Sequence, residues 1–473
     1  MRLCGGNQLT TLTRLVFRCV LGAMSLLGWL SPGDGAELRQ LEVAPHPRLG
    51  LAFPGADEHY YHLATDLGIG VIRLGVSWKH VEPEPGQFRW KSLDRRILRI
   101  QELGAMPFLT LYSDAPWGVI DDDTPVKNRR PRSISQWETF VQAVAERYDH
   151  DGQEDAPGLM APVRYFQVAN EWISDRNASG GWSGTADELI EYVDRAYAAV
   201  KAASPEAIFV MGGVAAFNAD ALARYFGLAD YEVEQRSKDG KVHRLTQEEL
   251  EAPKTRQAIE NHVRRVIEGA RYDVASVHLY GPEARDPVRI ALIHDLSGGR
   301  PVLSSECGGP SLDYQDSFRP EEHFMAVLQR NLVVLSNDLP FCLWFRLGEG
   351  SGTFGNKHVP LYTSSGTPKP GADAYRLLGR LLQGMTSVEM LPATDAFVIR
   401  RGDAPDILVI LNTGDPLPSL ASIAAPNMMG VDSLEVVEIT NLTEGQYQKS
   451  VAAPEAIEVS EPVVVIGERL PFD

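Results

Sequence analysis

The sequence of 473 residues predicts an α/β protein in which a closed barrel of eight parallel strands is followed by a small antiparallel β domain. Two observations lead to this prediction. Between residues 48 and 347, eight apolar runs rich in β-branched residues alternate with amphipathic or charged segments. From about residue 386, short apolar runs follow one another without helical segments between them. The hydrophobic content of 44% is sufficient for a large core.

The predicted strands are short and are bounded by glycine, proline or polar residues. They span residues 48–53, 70–78, 106–112, 163–171, 208–214, 272–280, 301–306 and 339–347. Helices are predicted over residues 58–67, 93–103, 135–148, 186–203 and 320–336. The charged segment 230–265 is longer than an ordinary connection, and we interpret it as a solvated insertion that is helical at its end.

This alternation favours a TIM barrel, the (β/α)8 fold. The competing arrangement is an open, doubly wound sheet, which commonly has a glycine-rich phosphate-binding loop after its first strand. Residues Phe53, Pro54, Gly55 and Ala56 do not form such a loop. We therefore expect a barrel domain over residues 37–385.

The C-terminal part of the chain has the pattern of antiparallel β structure. Residues 397–401 and 407–411 flank a turn-forming segment as the two arms of a hairpin would, and residues 434–439 and 463–466 continue the pattern. We expect a β-sandwich-like domain over residues 386–473 that packs against the barrel as an accessory structural unit.

The first 36 residues have the layout of a secretory signal peptide. Arg2, Arg14 and Arg18 precede an uncharged run, and a breaker-rich tail leads to a cleavage site near Ala36. The uncharged run, residues 19–30, is shorter than the roughly 20 apolar residues of a membrane span. The sequence therefore predicts a secreted or periplasmic protein without stable membrane insertion, and an uncleaved amphipathic anchor is the alternative.

The net charge of the chain limits its partners. It is −18 for the full sequence, and loss of the leader, which carries three arginines and one aspartate, changes it to −20. Such a surface repels a phosphate backbone, which argues against nucleic acid as a partner.

Neither a metal nor a cofactor is predicted, because the sequence contains no C-x-x-C, H-E-x-x-H or histidine-rich cluster. The acidic run 121–123 is interpreted as a solvated loop, with a calcium site as the alternative. Two cysteines lie outside the leader. Strand alternation places Cys307 outward and Cys342 inward, so we expect two free thiols.

Two predicted strands end in a glutamate. Residues 163–172 read V-R-Y-F-Q-V-A-N-E-W, so the fourth strand delivers Asn170 and Glu171 to its C-terminal tip, and the seventh strand delivers Glu306. In a barrel of this kind the C-terminal ends of the strands converge on one mouth. Hydrolysis of a glycosidic bond requires such a pair: one carboxylic acid protonates the leaving oxygen, and the other carboxylate attacks the anomeric carbon. Taken alone, either glutamate is more often an ion-pair partner than a catalytic group.

With these motifs, residues 48–350 resemble the clan A glycoside hydrolases and are similar to families 5 and 39. The resemblance implies that Glu171 is the acid/base, that Glu306 is the nucleophile, and that Asn170 donates a hydrogen bond to the sugar hydroxyl next to the reacting carbon. It also implies retention of anomeric configuration, with carboxyl groups about 5 to 5.5 Å apart. Glu171, beside Trp172 and shielded from other carboxylates, is expected to have a raised pKa suited to proton donation.

Further positions fit the resemblance. Arg73 on the second strand can hydrogen-bond Glu306 and favour its charged form, with a barrel-closing ion pair as the alternative reading. Tyr280 matches the family's tyrosine that orients the nucleophile, and Trp344 matches its aromatic floor under the sugar. His278 is expected to be a structural or a substrate-edge imidazole.

Aromatic residues near the mouth are further candidates for sugar contacts. Trp172 follows Glu171 directly, while Trp117 and Trp182 lie in loops and are either sugar platforms or ordinary packing residues. The third strand ends in Tyr112 and a serine rather than in the histidine that several related families have there.

These observations together predict an exported retaining glycoside hydrolase that acts on a polysaccharide or oligosaccharide by double displacement, without a cofactor. The alternative is a catalytically inactive barrel that binds an extracellular glycan such as an exopolysaccharide or peptidoglycan, because a fold alone does not determine function.

Overall fold

A computed structural model describes residues 36–236, 241–309, 317–349, 358–392, 394–411, 431–457 and 459–472. The predicted leader, up to residue 35, therefore lies outside the described residues. Within them, no helix combines the length and the apolar character needed to cross a membrane.

Eight parallel strands form the first sheet. They are β1 (His46–Leu51), β2 (Ile69–Ser77), β3 (Met106–Tyr112), β4 (Tyr165–Val168), β5 (Ile208–Met211), β6 (Ala275–Leu279), β7 (Val302–Cys307) and β8 (Cys342–Trp344). Their spatial order is β5-β4-β3-β2-β1-β8-β7-β6. Parallel bridges from Val210 to Val274 and from Val214 to Val277 join the two edges of this sheet. The predicted (β/α)8 barrel is therefore confirmed.

Helices surround the strands. They are α1 (His62–Thr65), α2 (Trp78–Val81), α3 (Lys91–Glu102), α4 (Ile134–Arg147), α5 (Ala186–Ala203), α6 (Ala216–Tyr225), α7 (Gln247–Glu251), α8 (Pro253–Ala258), α9 (Arg265–Gly269), α10 (Asp286–Leu296), α11 (Pro320–Ser336) and α12 (Pro370–Leu381). A π-helical segment, Ile259–Arg264, links α8 to α9. Helix α5 begins where predicted because Thr185 and Glu188 form a capping box, each side chain bonding the other's backbone.

Several predicted boundaries differ from the observed ones. The predicted helix 58–67 is a 3-10 turn, Glu58–Tyr60, followed by the single turn of α1. The fourth strand stops at Val168 rather than continuing to the glutamate. Ala169 and Glu171 have φ values of 64° and 48°, and this left-handed backbone is incompatible with a strand.

The barrel interior is a packed core. Phe108, Val210, Leu303 and Leu343 from different strands form one apolar cluster, and Phe108 stacks on Tyr165 with ring centroids 5.5 Å apart. Because the interior is filled, a substrate has access only at the ends of the strands.

The C-terminal strands form a second, antiparallel sheet. They are β9 (Met385–Met390), β10 (Ala396–Arg401), β11 (Ile407–Leu411), β12 (Leu434–Asn441), β13 (Gln446–Ala452) and β14 (Val463–Gly467). A short strand, Ala36–Glu37, pairs with β13 and completes the order Ala36–Glu37, β13-β12-β14-β11-β10-β9. The predicted hairpin is confirmed by the β10–β11 pairing.

The described residues of this domain, together with Ala36–Glu37, form one seven-stranded sheet. One face contributes Phe397, Ile399 and Val409 to the same core as the barrel helices, and β9 contacts α11. The opposite face carries its own apolar cluster, which includes Val398 and Leu408. The domain therefore packs against the barrel through one face.

Both cysteines of the barrel are buried free thiols, as predicted. The predicted inward orientation of Cys342 is wrong. Its Sγ donates to Oδ1 of Asn331 on α11 at 3.7 Å, so the side chain faces the helix layer, while Leu343 belongs to the interior cluster. Burial and the neighbouring Cys342 raise the pKa of Cys307 well above its usual value.

Candidate active site

The C-terminal ends of the barrel strands surround a cavity of about 790 Å³. Five of the residues singled out in the sequence line it: Arg73, Asn170, Glu171, Tyr280 and Glu306. They come from four different segments of the chain, since Asn170 and Glu171 are neighbours, and are brought together by the convergence of parallel strands at one end of the barrel.

The backbone after β4 aims Glu171 at this cavity. The left-handed conformations of Ala169 and Glu171 are costly for residues other than glycine, on the order of 1–3 kcal/mol each. They are held by the backbone N–H of Glu171, which donates to the Gly213 carbonyl at 3.1 Å, and by the Asn170 carbonyl, which accepts from Gly181 N–H at 2.9 Å. The strand tip is therefore a fixed structure rather than a loose loop.

Glu306 on β7 is held by two donors. Nη1 of Arg73 donates to Oε2 at 3.1 Å, and the Tyr280 hydroxyl donates to Oε1 at 2.8 Å. Arg73 is almost completely buried and also donates to Oδ1 of Asn170 and to the carbonyl of Ser305, each at 2.7 Å. The predicted hydrogen bond from Arg73 to Glu306 is present, and Tyr280 contacts the same carboxylate.

Glu171 is held by a different set of partners. Its Oε1 lies 2.8 Å from Nδ1 of His278 on β6, and its Oε2 accepts a hydrogen bond from Nδ2 of Asn177. Nε2 of His278 lies 3.3 Å from the hydroxyl of Ser305. His278 is completely buried behind the carboxylate and does not line the cavity, so its expected role at the edge of the substrate is corrected to that of a partner of Glu171.

The pKa of Glu171 differs from the expected raised value. Burial raises it, but hydrogen bonds from His278 and Asn177, together with the charges of His278 and Arg73, outweigh burial and lower it below its usual value. Trp172 does not cover the carboxylate, because it is buried in the core and its Nε1 donates to the Gly212 carbonyl at 3.2 Å. The isolated site therefore favours the carboxylate form of Glu171.

The two carboxylates are close together. One oxygen of Glu171, one oxygen of Glu306 and one ring nitrogen of His278 all lie within 4.8 Å of one another. This spacing is compatible with a metal ion, but the hydrogen-bond partners argue for a different role. Both oxygens of Glu306 already accept hydrogen bonds, and the adjacent guanidinium of Arg73 repels a second cation.

Phe345, not Trp344, is the aromatic side chain that β8 presents to the cavity. Trp344 is fully buried on the side of the helix layer, near His323 of α11, and its Nε1 donates to the Val359 carbonyl at 2.7 Å. The expectation that Trp344 forms a floor under the sugar is corrected accordingly. The error is a one-residue register shift, because successive strand residues face opposite sides.

The tryptophans of the surrounding segments are packing residues. Trp172 and Trp182 are buried, and Nε1 of Trp182 donates to the Thr185 carbonyl at 3.2 Å. Trp117 packs edge-on against Trp78 with ring centroids 5.0 Å apart. None of the three belongs to the cavity lining, so the alternative reading of loop packing is the one that the structure supports.

The acidic run 121–123 is engaged with neighbouring side chains. Asp122 accepts from the hydroxyl of Thr124 at 2.6 Å and from that of Ser183 at 2.7 Å, and it lies 3.6 Å from Arg130. Among the described residues, this run does not form a group with metal-ligand spacing.

Asn177, Phe345, Lys127 and Arg346 line the cavity but were not predicted from the sequence. For Phe345, its position next to Trp344 on an alternating strand was an available signal. Asn177, Lys127 and Arg346 lie outside the regular strands and have no periodic pattern to mark them.

Fold and site together define a (β/α)8 barrel with two closely spaced carboxylates at its mouth. The chain is similar in structure to a glucosidase from Croceicoccus marinus, with a TM-score of 0.57, 13% sequence identity, and 92% of this chain and 97% of that chain covered. It is also similar to a monomeric β-xylosidase from Caulobacter crescentus CB15, with a TM-score of 0.56, 14% identity, and 92% and 99% of the two chains covered.

A third similar structure is the family 30 subfamily 8 xylanase from Clostridium acetobutylicum, with a TM-score of 0.52, 10% identity, and 90% and 96% coverage of the two chains. No protein-family model matches the sequence, and no curated protein matches it. At these identities the similarity establishes a shared fold. The resemblance to clan A glycoside hydrolases is thus confirmed at the level of the fold.

Proposed function

We propose that this protein is an exported retaining glycoside hydrolase that cleaves O-glycosidic bonds of a polysaccharide or oligosaccharide. The observation that carries the proposal is the pair of carboxylates, Glu171 and Glu306, with oxygens within 4.8 Å at the mouth of the barrel. Retaining enzymes place their two carboxyl groups about 5 to 5.5 Å apart, whereas inverting enzymes leave about 6.5 to 9.5 Å for a water molecule.

In the first step, an oxygen of Glu306 attacks the anomeric carbon while Glu171, in its protonated form, donates its proton to the leaving oxygen. The glycosidic C–O bond breaks, the leaving group departs as an alcohol, and a covalent glycosyl-enzyme remains. In the second step, Glu171 removes a proton from water, the water oxygen attacks the anomeric carbon, and the bond to Glu306 breaks. Two inversions give net retention of configuration.

The different surroundings of the two carboxylates support this division of roles. Arg73 and Tyr280 fix Glu306 with one donor on each oxygen, which orients it for attack. Glu171 instead has a titratable neighbour in His278, which is suited to the proton transfers of an acid/base.

Asn170 is proposed to donate to the sugar hydroxyl adjacent to the reacting carbon. Its Oδ1 accepts a hydrogen bond from Arg73 at 2.7 Å, so the amide nitrogen is the group that remains to donate to a sugar in the cavity that Asn170 lines. The nitrogen contacts the Ser179 carbonyl at 3.4 Å, a long hydrogen bond that leaves it available to a sugar hydroxyl. The export component of the proposal rests on the signal-peptide layout of residues 1–36.

The test is a reducing-sugar screen of the purified mature protein over a panel of polysaccharides, repeated with Glu306→Gln. We expect hydrolysis of at least one glycan by the wild type and none by the variant, with Glu321→Gln, an exposed glutamate on α11, as the matched control. A fluorinated sugar that traps the covalent intermediate should label Glu306.

Two outcomes would overturn the proposal. A fully active Glu306→Gln variant, or a label on another residue, removes the assignment of the nucleophile. Binding on a glycan array without release of sugar from any glycan would favour the alternative, a catalytically inactive barrel that binds an extracellular glycan.

A further inference from the structure

The cavity carries an excess of positive charge in a strongly acidic protein. Its charged lining consists of two carboxylates, Glu171 and Glu306, and four cationic side chains. The cationic residues are Arg73, Lys127, Arg176 and Arg346. Since the whole chain has a net charge of −18, this local excess is opposite in sign to the protein as a whole. Arg73 is accounted for by its contacts to Glu306 and Asn170, whereas the other cations have no role in the reaction proposed above.

Lys127 lines the same cavity as the two glutamates and has no carboxylate partner of its own among the described residues. Its backbone N–H donates to the Gly180 carbonyl at 2.7 Å, and its Nζ lies 3.6 Å from the centre of the Tyr112 ring. Asp114, whose charge raises the pKa of Lys127, accepts a bifurcated hydrogen bond from the Ser77 hydroxyl and lies 3.7 Å from Nζ of Lys79. In the described part of the chain, no carboxylate lies within ion-pair distance of Lys127.

Arg346 lines the same cavity from another segment of the chain. It follows β8, its Nε donates to the Gly348 carbonyl at 2.6 Å, and its guanidinium lies 5.2 Å from the centre of the Phe53 ring. Among the residues that the structure describes, it too has no carboxylate partner within 4.0 Å. Aromatic rings and carbonyls stabilise these cations but do not neutralise them.

Both cations have lost part of their hydration. Burial lowers the pKa of Lys127 and that of Arg346 below their usual values. When a neutral sugar fills the cavity it removes more water and leaves both charges without compensation, which costs free energy. A sugar with its own negative charge offsets that cost and gains charge-assisted hydrogen bonds.

We infer that the glycan cleaved at this site carries an anionic substituent, either the carboxylate of a uronic acid or a sulfate ester, and that Lys127 and Arg346 contact it. This inference rests on the proposed glycosidase activity and names the chemical class of its substrate. The negative surface of the protein does not prevent such binding, because at physiological salt the field of distant charges is screened beyond about 8 Å.

The experiment compares each anionic polysaccharide with its neutral counterpart. Uronic-acid polymers are assayed before and after reduction of their carboxylates to alcohols, and sulfated polymers before and after desulfation. We expect the ratio of kcat/KM for the charged polymer over its neutral counterpart to exceed ten in at least one of the two series, which identifies the anionic group. This ratio should decrease as salt is raised.

Lys127→Met and Arg346→Met should each lower that ratio about tenfold or more, mainly through KM, while the exposed Lys91→Met serves as the control for net charge. A thermal unfolding curve for each variant verifies that it is folded. If a variant does not fold, the salt dependence of the wild-type ratio decides instead.

Equal or faster hydrolysis of the neutral polymers would overturn the inference and leave the glycosidase proposal intact. The same holds if both variants retain the wild-type ratio. Absence of hydrolysis in every series contradicts the proposed activity itself. Calorimetry of Glu306→Gln with the same charged and neutral polymers then measures the preference for charge independently of turnover. Preferential binding of the charged polymer supports a site for anionic glycans. Equal binding of the two polymers overturns the inference of an anionic substrate.

Discussion

Nδ1 of His278 lies 2.8 Å from Oε1 of Glu171, although β6, which carries His278, and β4, which ends just before Glu171, are separated by β5 in the barrel. The contact spans β5 because Gly213, just past the end of that strand, has no side chain. A Cβ at this position would lie 2.3 Å from Nε2 of His278. The imidazole therefore reaches the carboxylate across a gap that a glycine keeps open.

Replacement of His278 by glutamine should shift the pH dependence of the reaction. In the wild type, the hydrogen bond and charge of His278 lower the pKa of Glu171 against the effect of burial. Without the charge of His278, burial has the larger influence on Glu171, and the pKa of Glu171 rises. Proton donation requires protonated Glu171, so the alkaline limb of the kcat/KM profile should move to higher pH. Exposed His294→Gln is the control, and an unshifted limb would contradict the assignment of Glu171 as proton donor.

Tyr280→Phe should reduce turnover while leaving the fold intact. The hydroxyl donates to Oε1 of Glu306 at 2.8 Å, and burial together with the Glu306 carboxylate raises the pKa of Tyr280 well above 10, so it remains a neutral donor throughout the assay range. A hydrogen bond to a charged group contributes about 1.5 to 3 kcal/mol, which corresponds to roughly 10- to 100-fold in kcat/KM. The measurement is steady-state kinetics with Tyr60→Phe, an exposed tyrosine, as control; wild-type kinetics in Tyr280→Phe would show that the contact is not used.

Much of this site was accessible from the sequence because its main residues follow strands. Glu306 ends a recognisable apolar run, and Asn170 and Glu171 follow another, so the β/α alternation was sufficient to bring them to one mouth. The partners Arg73 and Tyr280 were accessible for the same reason, since both follow or lie on regular strands.

The parts that were not predicted depend on distances between segments. The sequence predicted Trp344 as the aromatic residue at the cavity, whereas the structure has Phe345 there. An error of one residue is sufficient for this mistake, because successive residues of a strand face opposite sides. The lowered pKa of Glu171 depends on His278 and on Asn177, which approach the carboxylate from β6 and from the loop after β4. Sequence spacing contains no information on such contacts.

Gly213→Ala is expected to displace His278 without replacing Glu171 or Glu306, the two proposed catalytic glutamates. The added methyl group would lie 2.2 Å from Cδ2 of the imidazole, so the ring must move away from Glu171. We expect a loss of stability of about 1 to 3 kcal/mol from the overpacking, together with an alkaline shift of the kcat/KM limb in the same direction as for His278→Gln. Denaturant unfolding and a pH profile measure the two effects. Gly402→Ala, whose nearest contact would be 3.7 Å away, is the control, and a wild-type pH profile in Gly213→Ala would disprove the spacing role of the glycine.

A buried ion network behind β6 supports the turn that follows Tyr280. Asp286 is completely buried and lies 3.0 Å from Nη1 of Arg289 and 2.6 Å from Nη1 of Arg330. Nη1 of Arg289 also donates to the Tyr280 carbonyl at 2.7 Å, and Nη2 of Arg330 donates to the Gly281 carbonyl. The network thus connects helices α10 and α11 to the backbone beside the residue that holds the proposed nucleophile.

Asp286→Ala should destabilise the protein by about 1 to 3 kcal/mol, because two buried guanidinium groups lose a shared carboxylate while Arg289 keeps Asp220 and Arg330 keeps Glu283. The free energy of unfolding is measured by denaturant titration, with Asp295→Ala, an exposed aspartate near the end of α10, as control. If the network also positions Tyr280, kcat should fall in the folded variant, with less effect on KM. A loss below about 1 kcal/mol would mean that Asp220 and Glu283 are sufficient to hold the two arginines and that Asp286 does not hold this turn in place.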